Sequence, residues 1–86
     1  MKTIDQKSVD LAFELGAVKL VTVRKLSDKQ WYFTFEADDP ITGQIGLFAV
    51  ETQRGRLRTW ADPRVLFDFL ERRGVDSGNF NLTEDS

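Results

Sequence analysis

The chain contains neither cysteine nor histidine. Without thiols there is no disulfide framework, no thiolate metal site and no sulfur nucleophile. Without imidazole, the commonest general base and the commonest transition-metal ligand are gone. Any chemistry would fall to Asp, Glu, Lys, Arg, Tyr, Ser or Thr. No apolar run approaches membrane-spanning length, and the opening MKTIDQKSVDLAFELG is too polar for a signal peptide. These features together predict a cytoplasmic protein with no membrane contact. A glycine-rich phosphate loop, a nucleophile motif and a metal-ligand cluster are also missing. The expectation is therefore no catalytic residue, no metal, no cofactor and no enzymatic activity.

What is present suits one compact domain. Eighty-six residues leave no room for a second. An apolar fraction of 41% with seven Phe, two Trp and one Tyr supports a core and argues against disorder. The reading is a single α+β domain over residues 1–83, followed by a frayed acidic tail at 84–86. The net charge of −2 is not that of a general phosphate binder. The cations are segregated, however: all five Lys precede residue 30, and Arg54, Arg56, Arg58, Arg64, Arg72 and Arg73 follow in the second half.

Residues 3–15 read as a helix, with Thr3 and Gln6 at capping-box spacing, Ile4, Leu11 and Leu15 on one stripe, and Gly16 at its end. Residues 17–26 are rich in β-branched side chains and read as a strand. Residues 31–37 alternate Trp31, Phe33 and Phe35 against Tyr32, Thr34 and Glu36, the period of a second strand. A turn at 38–43 leads to a third strand at 44–51, with Ile45, Leu47 and Ala49 opposite Phe48 and Val50. A hairpin turn at Gly55 gives a fourth, 56–60. A second helix opens with Asp62 as N-cap and Pro63 at N1 and closes at Gly74, with Val75 placed for a Schellman contact. Room remains for a short strand at 79–83. The predicted fold is an antiparallel four-stranded meander flanked by an N-terminal and a C-terminal helix, α-β-β-β-β-α with an optional final β.

Three groups of residues are candidate sites. Arg56 and Arg58 share one side of a strand, with Arg54 and Arg64 near by; guanidinium suits bidentate pairing with carboxylate or phosphate. The same charges fit a solvated edge strand that blocks edge-to-edge pairing. Trp60 beside these Arg is either an interface anchor or a lid over the second helix. Tyr32, Phe48 and Val50 form an apolar interface if both helices lie on one face of the sheet. Asp38 and Asp39 with Glu36 read as a solvated turn more readily than as a cation site.

The element order resembles that of the double-stranded-RNA-binding domain. That family carries a Lys-rich motif at its second helix, where this chain reads ADPRVLFDFL with Arg64 alone, so the likeness is one of order. Residues 54–82, RGRLRTWADPRVLFDFLERRGVDSGNFNL, resemble the C-terminal half of the partition-associated ParC type of plasmid accessory protein, in an Arg–aromatic pair, a short helix, a Gly and a final strand. The resemblance implies a non-enzymatic role in plasmid maintenance or its regulation and carries over no site residue. The functional expectation is an interaction or regulatory module whose partner is another protein or a second copy of itself. The alternative is nucleic-acid binding through Arg54, Arg56, Arg58 and Arg64.

Overall fold

A computed structural model describes residues 1–82. The expected tail at 84–86 and the end of the expected domain and last strand at residue 83 lie outside them. The elements run β1 (Lys2–Asp5), α1 (Gln6–Glu14), β2 (Val21–Ser27), β3 (Gln30–Asp38), β4 (Ile45–Glu51), α2 (Pro63–Glu71) and β5 (Asn79–Asn81). The class is α+β, as expected, but the sheet has five strands in the order β1-β4-β3-β2-β5. It is mixed rather than an antiparallel meander. β2–β3 and β3–β4 are antiparallel, whereas β1 pairs parallel with β4 and β5 pairs parallel with β2.

The chain therefore begins with a strand, not with the expected helix at residue 3. Thr3 lies in β1 opposite Ala49, and Ile4 lies opposite Val50. The true N-cap is Asp5, whose Oδ1 accepts from the Ser8 backbone N–H at 2.8 Å. Docking β1 on β4 satisfies the backbone of that strand and adds Ile4 to the core. A further helical turn would give neither.

The expected fourth strand at 56–60 is reduced to two isolated bridges, Glu51–Leu57 and Trp31–Trp60. Trp60 exchanges both backbone bonds with Trp31, at 2.7 and 2.8 Å, and the Arg58 N–H donates to the Val50 carbonyl at 2.8 Å. The segment is wedged between the ends of β3 and β4, so it is no sheet edge.

Register fixes the faces. Val21 opposes Phe35, Val23 opposes Phe33, and Phe35 opposes Phe48. These residues form the core with Val50, Trp60, Val9 of α1, and Leu66, Phe69 and Leu70 of α2. Phe13 of α1 meets both Phe33 and Phe35, and Phe69 of α2 meets Phe33 at 5.9 Å. Both helices thus cover one face. On the other face Thr34 Oγ1 accepts from Arg24 Nε at 3.0 Å.

The expected apolar interface is accordingly not one patch. Phe48 and Val50 are 7% and 2% exposed on the helix-covered face, while Tyr32 points to the opposite side and is 6% exposed. Pairing of Phe48 with Phe35, the residue around which the core is built, puts it and Val50 under the helices. No helix among the described residues is long and apolar enough to cross a membrane.

Candidate functional site

The β5 end of the sheet is built by α2 and the segment that follows it. Asp62 caps α2 by accepting from the Arg64 N–H at 2.9 Å, and Pro63 opens the first turn, as the sequence predicts. Leu66, Phe69 and Leu70 face inward. Gly74, at φ 85°, ends the helix in a Schellman motif: Gly74 N–H donates to Glu71 O and Val75 N–H to Leu70 O, at 3.0 and 3.1 Å. The chain then turns back and lays β5 beside β2. It passes so close at Gly78 that a Cβ there would stand 2.7 Å from the Val21 carbonyl oxygen. Only glycine permits that approach.

Between α2, β2 and β5 lies a cavity of about 210 Å³, floored by Val21, Val23, Leu70 and Val75. Phe67 and Phe80 stand at its mouth, in edge-to-face contact at 5.7 Å. They remain 38% and 61% exposed. Glu71 and Asp76 are the charged residues of its lining, both acidic and both exposed. Neither Phe was expected as a site residue. The signals were present: Phe67 falls off the inward stripe of α2, and Phe80 alternates with Asn79 and Asn81 on a strand.

The four Arg have different settings. Arg54 and Arg56 are exposed in the turn after β4, which Gly55 closes at φ 76°. Arg64 is held on its own N-cap, donating through Nε at 3.2 Å and Nη2 at 2.9 Å to the Asp62 carboxylate. Those bonds raise the Arg64 pKa and, together with the Arg64 backbone N–H, lower that of Asp62. Arg58 turns inward. Its guanidinium donates to Gln6 Oε1 and lies over the rings of Trp60, at 4.5 Å, and Phe69, at 5.3 Å. Burial, and then the nearby Arg73 charge, lower its pKa. Trp60 itself is 6% exposed and packs on Phe69 and Phe33 at 5.1 and 6.0 Å. Of its two expected roles, that of a lid over α2 matches this placement.

The acids of the β3–β4 turn also go separate ways. Asp38 pairs with Lys19 at 3.4 Å. Asp39 accepts from Lys2 Nζ at 2.6 Å and from the Ile41 N–H at 2.9 Å, and both bonds lower its pKa. No group of three or more potential metal ligands occurs among the described residues. The chain matches no family model, no curated protein and no solved structure.

Proposed function

We propose that this chain is a small non-enzymatic interaction module that acts by protein–protein contact at the α2–β5 end of its sheet. One observation carries the reading. Phe67 and Phe80 stay 38% and 61% exposed at the mouth of an apolar cavity, although full burial of a Phe is worth about 1.5–3 kcal/mol. Aromatic side chains presented at an apolar groove are anchors for a second molecule. Three carboxylates have structural parts. Asp5, Asp39 and Asp62 all have lowered pKa values because they cap helices or accept from Lys2. A general acid working near neutral pH needs the opposite displacement. On the resemblance of residues 54–82 to ParC-type proteins, we further propose a cytoplasmic regulatory accessory in plasmid maintenance as the setting for such a module.

The nucleic-acid alternative would use Arg54, Arg56 and Arg64, which stays 86% exposed beside Asp62, whereas Arg58 turns inward. Cross-linking in cells with the tagged full chain distinguishes the two. A protein partner should be captured and should survive nuclease treatment. Capture should fall by about tenfold or more in Phe67→Ser and Phe80→Ser and be unchanged in an Arg54→Ala/Arg56→Ala double variant. Thermal melts would confirm that each variant is folded. Capture of nucleic acid that is lost with the Arg variant would overturn the reading.

A further inference from the structure

The cavity between α2, β2 and β5 is apolar in its depth and acidic at its rim. Val21, Val23, Leu70 and Val75 form the floor, and Glu71 and Asp76 stand exposed at the edge. Glu71 ends α2, where the helix dipole is negative, so the backbone adds to the potential of the two carboxylates. Among the described residues neither acid makes an ion pair, and no Lys or Arg lines the cavity. The cations next along the chain are engaged elsewhere: Arg72 pairs with Asp68 at 2.9 Å and Arg73 with Asp10 at 2.7 Å. The rim thus holds negative charge with no counter-charge beside it.

Volume narrows the occupant. A protein cavity of about 150 Å³ holds one benzene ring, and a whole small-molecule ligand needs roughly 300–1,000 Å³. About 210 Å³ therefore takes a single large apolar side chain. Inserted there, such a side chain would displace water from the floor and cover the exposed rings of Phe67 and Phe80. The rim selects what stands next to it. A second copy docked about a two-fold axis would set Glu71 and Asp76 against themselves. Lys or Arg beside the apolar side chain would complement them, with the methylene stems lying on the Phe rings. We therefore infer that the α2–β5 groove takes one apolar side chain of a partner protein as a plug, with adjacent Lys or Arg paired to Glu71 and Asp76. This rests on the interaction reading above and specifies the chemistry of the partner. The contact is one of side chains, made on the face of β5 that bears Phe80.

The test uses short synthetic peptides that differ in two features, a central Phe or Ala and flanks of Lys/Arg or of Glu. Binding to the full chain is followed by fluorescence anisotropy and by methyl and amide chemical shifts. The Phe-centred basic peptide should bind and shift the methyl groups of Val23, Leu70 and Val75 together with Phe67 and Phe80. Affinity should fall by about tenfold or more with Ala at the centre and by about tenfold with Glu flanks. A Glu71→Gln/Asp76→Asn variant is altered only at exposed positions, and its thermal melt would confirm that it is folded. It should bind the basic peptide about tenfold more weakly and no longer discriminate between the two kinds of flank. No binding of the basic peptide up to about 1 mM, equal binding of the Ala-centred or acid-flanked peptide, or unchanged affinity in the variant would overturn the inference. So would a dimer in sedimentation that Phe80→Ser converts to monomer. If cross-linking capture still depends on Phe67 and Phe80 while the peptides fail, the basic plug alone is wrong. If capture fails as well, the interaction reading falls with it.

Discussion

The ring of Phe69 lies beneath two guanidinium groups. Arg73 is 3.5 Å from its centroid and Arg58 is 5.3 Å away. Arg73 also donates through Nε to Asp10 Oδ1 at 2.7 Å and through Nη1 to the Phe69 carbonyl at 3.0 Å. One side chain thereby ties the end of α2 to the middle of α1 and roofs an aromatic core residue. A charged hydrogen bond contributes about 1.5–3 kcal/mol and a cation–π contact about 0.5–1 kcal/mol. With solvent screening at the partly exposed Asp10, Arg73→Ala should lose about 2 kcal/mol in urea unfolding at unchanged m. Arg73→Lys should recover less than half, because one ammonium cannot make all three contacts. A double-mutant cycle with Asp10→Ala isolates the α1–α2 share, and full additivity would refute the coupling. The sequence hid this residue. In the last turn of a helix, Arg73 reads as a complement to the dipole, and nothing local connects it with Asp10, 63 positions away. Arg58 shows the same limit: it shares a side with Trp60, as the alternation predicts, but that side faces α2, while Arg56 stays exposed in the turn.

Elements whose signals are local were readable, and those that depend on distant partners were not. The N-cap Asp62, Pro63, the apolar stripe and Gly74 lie within a few residues of one another and fix α2 almost to the residue. The alternation in 31–37 fixes β3. Residues 2–5 are ambiguous alone, because Thr and Ile at that spacing fit the start of a helix as well as a strand; only β4 decides. The parallel pairing of β5 with β2 likewise has no local signature, save Gly78. That glycine carries an element-scale prediction. Adding a Cβ would place it 2.7 Å from a backbone oxygen of β2, which cannot swing aside as a side chain can. Gly78→Ala should release β5 without unfolding the sheet. Amide exchange at Asn79–Asn81 should accelerate by at least about tenfold while β3 amides stay protected. Protection unchanged at β5 would show that the strand tolerates the shift. The candidate groove is built on this strand, so the same variant should also weaken capture at Phe67 and Phe80.

At the scale of the whole molecule, three carboxylates with lowered pKa values stand at three junctions. Asp5 joins β1 to α1, Asp39 joins the β3–β4 turn to β1 through Lys2, and Asp62 starts α2. Each sits below its ordinary value of 3.8 because hydrogen bonds favour the charged form: from Ser8 at Asp5, from Lys2 and Ile41 at Asp39, and from Arg64 at Asp62. A group whose folded pKa is depressed binds its proton more readily when unfolded. Its contribution is complete above the unfolded pKa and disappears as pH falls through the folded one. With no histidine in the chain, no side chain of ordinary pKa titrates near neutrality. The melting temperature should therefore be flat between about pH 5 and 8 and decline below about pH 4. Asp39→Asn should melt below the parent protein at pH 7, and the two curves should converge in acid, because protonation removes from the parent what the substitution has already removed. A constant gap down to about pH 2 would mean that Asp39 acts through packing rather than charge. A midpoint near neutrality would refute this account.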